Sequence, residues 1–243
     1  VKTYFLADPH FFGKNAIRFS SRVACMSEEE LALHREGKLE KVSQESGERM
    51  NQWIIDRINR KVGPDDVLML IGDVVMANSA SQARARTIWL MDQLACKRVS
   101  LFWGNHDGTI PSIGGVLDSK IPQDREDYRS AIADLYVDTR EVGMCYCEGD
   151  IQVWASHYPH LTWPRASKTG LPGVANPGSV MAIHTYGHVH DKYNSVEPVL
   201  DKSTWCAVNS GVDTPHDWPL SATEMFEMTK PRRIAMMNLV NGR

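Results

Sequence analysis

No apolar run in the 243 residues approaches the roughly 20 that a membrane-spanning helix needs. The N-terminal VKTYFLADPH turns acidic too soon for a signal peptide, so the expected location is cytoplasmic and no membrane partner is expected. An excess of positive charge is also missing. With 27 Lys and Arg against 30 Asp and Glu, the net charge of -3 argues against attachment to nucleic acid by bulk charge, although it leaves room for a local basic groove. The cysteines Cys25, Cys96, Cys145, Cys147 and Cys206 are odd in number, scattered, and form no CxxC pair. A disulfide framework is therefore not expected, and small buried thiols are. There is no internal repeat, low-complexity tract or long linker, which favours one domain over residues 1–243.

What the chain does have is a series of short apolar runs, each followed by a polar or glycine-containing turn. Tyr4 to Ala7 leads to Asp8-Pro9-His10, Val67 to Ile71 to Gly72-Asp73, and Val99 to Trp103 to Gly104-Asn105-His106-Asp107. Further on, Ile151 to Ala155 leads to Ser156-His157, and Met181 to Tyr186 to Gly187-His188-Val189-His190. Open α/β sheets place their ligands just beyond strand ends, so function is expected there.

Between the runs, Met50, Trp53, Ile54, Ile58 and Val62 mark an amphipathic helix over 48–62 that Gly63-Pro64 closes. A second helix is expected over 79–94, capped by Asn78 or Ser79, with Ile88, Leu90, Met91 and Leu94 on or near its buried stripe. After Asp134 the runs become short and β-rich, which points to a second sheet packed on the first with helices outside. Ser221-Ala222-Thr223-Glu224 has capping-box spacing and should open a short helix. Segment 27–46 reads as a helix plus surface loop, and 109–127 as a loop beside the site. The latter and 160–178 carry few positive charges, which favours small substrates over long nucleic acid.

Taken together, Asp8, His10, Asp73, Asn105, His157, His188 and His190 are about what two divalent cations need if one carboxylate bridges them. In extended chain, residues two apart point the same way, so Asp8 with His10, and His188 with His190, are each expected to converge. Nitrogen and oxygen ligands without thiolate suit Mn, Fe, Zn or Ni. Trp163 with Pro164 either lines a base-binding wall or packs a loop, and His34, His160, His184 and His216 are assigned no role.

The ordered blocks D-x-H, G-D, G-N-H-D, H and G-H-x-H resemble the calcineurin-like metallophosphoesterase superfamily over nearly the whole chain. Asn15-Ala16-Ile17-Arg18-Phe19, Val62-Gly63-Pro64-Asp65-Asp66, His157-Tyr158-Pro159, Asn209-Ser210-Gly211-Val212-Asp213 and Pro219-Leu220-Ser221 resemble its small bacterial and phage branch. That branch begins D-T-H-F-G-H, and here Gly13 replaces the second histidine. The resemblance implies an α/β fold, a four-layer α/β-β/α sandwich of two mixed sheets flanked by helices. It implies that Asp8, His10 and His190 hold one ion and Asn105, His157 and His188 the other, with Asp73 bridging.

It further implies a phosphoesterase that attacks a small phosphate monoester or diester, a nucleotide among the candidates, with a metal-bridging hydroxide. His106 resembles the family histidine that protonates the leaving oxygen or stabilises the transition state. In the protein-phosphatase branch a carboxylate three residues after the bridging Asp orients that histidine; here the position is Met76, which disfavours a Ser/Thr protein phosphatase. Asn15, Arg18 and Arg165 are candidate substrate contacts. The alternatives are a nuclease or end-processing enzyme, for which the acidic balance and lack of an appended domain are unfavourable, and a binding module that has lost its metals.

Overall fold

The computed structural model describes residues 1–19, 21–107, 122–168, 170, 173, 179–190 and 206–240. Its elements in chain order are β1 (Thr3–Leu6), α1 (Glu28–Arg35), α2 (Gln44–Lys61), β2 (Val67–Ile71), α3 (Ala80–Gln93), β3 (Arg98–Phe102) and α4 (Pro122–Ile132). Then come β4 (Thr139–Arg140), β5 (Val142–Tyr146), β6 (Gln152–Ser156), β7 (Ile183–Tyr186), β8 (Ala207–Asn209), β9 (Leu220–Ser221) and α5 (Ala222–Val240). The fold is α/β, with two mixed sheets flanked by helices. Most of the expected loop at 109–127 lies outside the described residues, as does much of 160–178. No described helix is long and apolar enough to cross a membrane.

The first sheet has the order β4-β3-β2-β1-β9, with β9 antiparallel to β1 and the other pairs parallel. The second has the order β5-β6-β7-β8, parallel except for β5 with β6. Alternation along each strand divides the side chains between two layers. Phe5, Ile71 and Phe102 of the first sheet meet Val153, Ala155, Ile183 and Val208 of the second in a buried inter-sheet core. The opposite parity in the first sheet, Leu6, Leu68, Leu70 and Leu101, packs in one cluster with Met50, Ile54 and Ile58 of α2 and Leu90 of α3.

On the outer face of the second sheet, Trp163 packs with Met181, Tyr186 and Ala207. Its Nε1 donates to the Ala182 carbonyl at 2.7 Å, so Trp163 fills this layer and lines no base-binding wall. His184 is buried there too, donating from Nδ1 to the Trp154 carbonyl and accepting the His160 N–H at Nε2, each at 3.0 Å. Cys25, Cys96, Cys145 and Cys206 are buried thiols outside any disulfide, and Cys147, also a thiol, is partly exposed.

Local signals explain the helix limits. α2 starts four residues before the expected Glu48 because the Ser43 hydroxyl accepts the Ser46 N–H at 3.1 Å, an N-cap that the apolar pattern does not mark. α3 is capped by Ser79, and its buried residues are Ala83, Thr87 and Leu90, followed by Leu94 just beyond its end. Ile88 is 41% exposed, contrary to expectation, because at 100° per residue it turns off the 83-87-90 face. The capping box at Ser221 and Glu224 forms as expected, with N···O distances of 3.2 and 2.7 Å. The helix that it opens runs 19 residues, not a short stretch.

Segment 27–46 is tied down at both helix ends, unlike a loose surface loop. The Glu30 carboxylate accepts the N–H groups of Ser27 and Ser43 at 3.0 and 2.5 Å, and also the Ser46 hydroxyl. One carboxylate thus joins the N-terminus of α1 to that of α2.

Register brings the chemistry together. Leu6, Leu70 and Leu101 are neighbours across β1, β2 and β3, so Asp8, Asp73 and Asn105 emerge at one end of the first sheet. Ala155 pairs with Thr185 across β6 and β7, so His157 and His188 emerge together from the second. The Gly187 N–H donates to the His157 carbonyl at 3.0 Å, and Ala7 bridges to Gly211, which brings the ends of the two sheets together.

Candidate metal centre

Two groups of ligand atoms lie at this junction. Asp8, His10 and His190 form one and Asp73, His157 and His188 the other, each with its atoms within 4.8 Å of one another. Asn105 belongs with the second, its Oδ1 lying 3.0 Å from His157 Nε2 and 2.9 Å from His188 Nδ1. In the first group, the Nε2 atoms of His10 and His190 are 3.3 Å apart. Asp73 Oδ2 lies between the groups, 3.3 Å from His157 Nε2 and 3.9 Å from His10 Nε2.

The structure brings together all seven residues, but not by the extended-chain geometry expected for the D-x-H and H-x-H pairs. Asp8, His10, Asp73, His188 and His190 all have φ between 48° and 67°. They are five of the eight non-glycine residues with positive φ among those described. Each such residue costs on the order of 1–3 kcal/mol, and such strain gathers at functional sites. The sharp turns also separate His188 from His190, sending them to different groups.

Close backbone approach supports the arrangement. A Cβ on Gly104 would stand 2.3 Å from Asp73 Oδ1, and one on Gly187 would stand 2.4 Å from Asp8 Oδ2. Only glycine fits either place.

The electrostatics fit a site built for cations. Asp8 is buried; its Oδ2 accepts the His188 N–H at 2.9 Å, but its buried Oδ1 has no hydrogen-bond partner among the described residues. An unpartnered carboxylate oxygen is costly unless a cation faces it. Burial, with the neighbouring Asp73, pushes the Asp8 carboxyl up to about 6 despite nearby histidines. Burial lowers His10 to about 3, well below the usual imidazole range. It works against His157 also, but Asp73 and Asp8 raise that ring to about 9. Asp73 is held below the usual carboxylate range: burial opposes this, and His157, His10 and His106 overcome it. The oxygen and imidazole donors, without thiolate, fit a divalent transition ion in each group.

Carboxylates behind the ligands hold them. Asp107 accepts the N–H groups of Asp73 at 2.7 Å and Gly104 at 2.9 Å through Oδ2, and that of Val74 at 2.9 Å through Oδ1. Asp213 Oδ2 accepts from His190 Nδ1 at 2.7 Å. Both aspartates fall inside blocks visible in the sequence, where neither had an assigned role. Arg22, which binds Asp213, carried no signal at all, because its partner is 191 residues away.

His106 sits at the rim, its side chain 29% exposed, with Nε2 3.9 Å from Asp73 Oδ2. Its N–H donates to Asp73 Oδ1 at 2.7 Å. Met76, three residues after Asp73, places its sulfur 3.5 Å from His10 Nδ1. The same side chain occupies the space beside Gly13, where a Cβ would meet Met76 Cγ at 2.7 Å.

The candidate substrate contacts are not all brought here. Arg165 donates to Gln152, at the opposite end of β6 from His157. Arg18 donates to the Glu40 carbonyl at 3.1 Å, and its own carbonyl meets His34 Nε2 at 3.0 Å. Asn15 is exposed on the 3-10 turn Lys14–Phe19.

No family model and no curated protein matches the sequence. Among solved structures, the protein of unknown function AQ665 from Aquifex aeolicus aligns with 93% of this chain and 98% of its own. Its TM-score is 0.47 and its identity 16%. The phosphopantetheinyl hydrolase PptH from Mycobacterium tuberculosis aligns with 99% of this chain and 63% of its own, at a TM-score of 0.33 and 10% identity. Similarity at this level carries no functional argument.

Proposed function

We propose that this chain is a dinuclear metal-dependent phosphoesterase of the calcineurin-like superfamily, with a four-layer sandwich around its two sheets, that hydrolyses a small phosphate monoester or diester. The supporting observation is Asp73, whose Oδ2 lies between two groups of histidine and carboxylate ligands drawn from five strand ends.

Asp8, His10 and His190 would hold one ion, Asn105, His157 and His188 the other, and Asp73 both. Two divalent transition ions (Mn, Fe, Zn or Ni) in such positions supply a clamp for phosphate, a water acidified into a nucleophile and charge to offset that of in-line displacement. His106 has the place and chemistry to give its Nε2 proton to the leaving oxygen: it is at the open rim, and its backbone is fixed by Asp73. The chain's own charge of -3 favours small phosphate esters, a nucleotide among them, over long nucleic acid.

Elemental analysis of the purified protein, with turnover of aryl phosphate mono- and diesters before and after chelation, tests the proposal. Metal-dependent turnover of either ester is the expected result. An enzyme that cleaves long nucleic acid with steep salt dependence while leaving small esters intact would favour the nuclease alternative.

A further inference from the structure

The two ligand groups are supported from behind in different ways. His157 is oriented by a backbone carbonyl, its Nδ1 lying 2.9 Å from Ile71 O. His190 is oriented by a charged side chain, through the 2.7 Å contact of its Nδ1 with Asp213 Oδ2.

Asp213 is in turn gripped by Arg22. The guanidinium donates from Nε to Oδ1 at 2.9 Å and from Nη2 to Oδ2 at 2.8 Å, and both side chains are fully buried. The same fork also reaches the first ligand turn, donating from Nη2 to the Asp8 carbonyl at 2.6 Å and from Nη1 to the Pro9 carbonyl at 2.7 Å, with Nη1 also 3.8 Å from Met50 Sδ. Asp8 and His10 flank those carbonyls, both in the left-handed region. A buried ion pair is a poor way to stabilise a fold, since well-packed apolar side chains serve as well or better. A planar fork with fixed donors is, however, well suited to holding two carbonyls and one carboxylate in a single geometry.

We propose that Arg22 and Asp213 are positioning residues for the first cation position alone, Arg22 holding the Asp8–Pro9 turn and Asp213 fixing His190 with Nε2 toward the ion. This inference rests on the metal reading of the site. It joins ligands 182 residues apart in sequence, Asp8 and His190, through one buried pair. Partners of this kind commonly change metal affinity 10- to 100-fold.

The test is calorimetric titration of the metal-stripped full chain with Mn2+, on the wild type and on Asp213→Asn, Arg22→Met and Arg22→Lys. The wild type is expected to take up two ions. In each variant one ion should bind about 10- to 100-fold more weakly while the other keeps its affinity. Arg22→Lys should behave like Arg22→Met, because an ammonium keeps the charge and loses the fork. Equal weakening of both sites, or of neither, would overturn the proposal. Circular dichroism checks the fold of each variant. Independently of any variant, nitrogen-15 NMR of the metal-free wild type should find His190 protonated at Nδ1 when neutral; an Nε2–H tautomer would also overturn it. A wild type that binds two ions and hydrolyses no ester ends the phosphoesterase reading and leaves this one standing. A wild type that takes up no ion ends both.

Discussion

Asp107 lies directly behind Asp73, its Oδ2 accepting the Asp73 backbone N–H at 2.7 Å while the same carboxylate also binds the N–H groups of Val74 and Gly104. The residue between the two ligand groups is thus set by a buried carboxylate that belongs to neither. Replacing Asp107 by Ala leaves three buried donors without an acceptor, at about 1–3 kcal/mol each. Urea unfolding should show a loss on the order of 3 kcal/mol or more, with weakened metal uptake. A loss below about 1 kcal/mol would mean that water takes over the role.

The protein should hold close to two transition-metal ions per chain and lose turnover to chelators. Asp73→Asn should weaken both positions together, because one carboxylate offsets part of the charge of each ion. Metal analysis after dialysis checks this. Loss of only one ion in the variant would place Asp73 in a single group.

His106→Ala should leave metal content nearly unchanged, since its ring is at the rim and outside both ligand groups. Turnover should fall by about 10²- to 10⁴-fold on esters with poor leaving groups. The loss should shrink for an activated aryl ester, whose leaving oxygen scarcely needs a proton. Equal losses on both would assign His106 to another task.

Glu30 gives a pH-dependent contribution to stability away from the site. Burial opposes ionisation of its carboxyl, but hydrogen bonds from Ser46, Ser43 and Ser27 lower it to about 2 from 4.5. With the folded value depressed, its contribution is full above about pH 4.5 and declines as pH falls toward about 2. Glu30→Gln should therefore cost about 2–3 kcal/mol at pH 7 and markedly less at pH 3. Paired urea titrations at the two pH values test this, and an equal gap at both would contradict it.

The donor residues that the structure gathers, and the strand ends that carry them, were legible in the sequence because each rests on local information. A strand-forming apolar run and the polar turn after it are adjacent in the chain, and a histidine or aspartate announces its donor chemistry by its type. The same holds for the helix that Ser79 caps and for the box at Ser221 and Glu224, where cap and partner lie three residues apart.

Tertiary structure alone decided the rest, since it depends on partners far apart or on backbone shape. Arg22 meets Asp213 across 191 residues, and neither has a spacing that predicts the other. Glu30 looks like a surface charge until α2 folds back to offer Ser43 and Ser46. The spacing already suggests that Asp8 and His10 converge, and the resemblance already assigns His188 and His190 to different ions; what the sequence does not show is the left-handed turns, imposed by surrounding contacts, through which the backbone does both. Donor chemistry is a property of single residues, whereas the backbone geometry that presents them at one junction belongs to the packed whole.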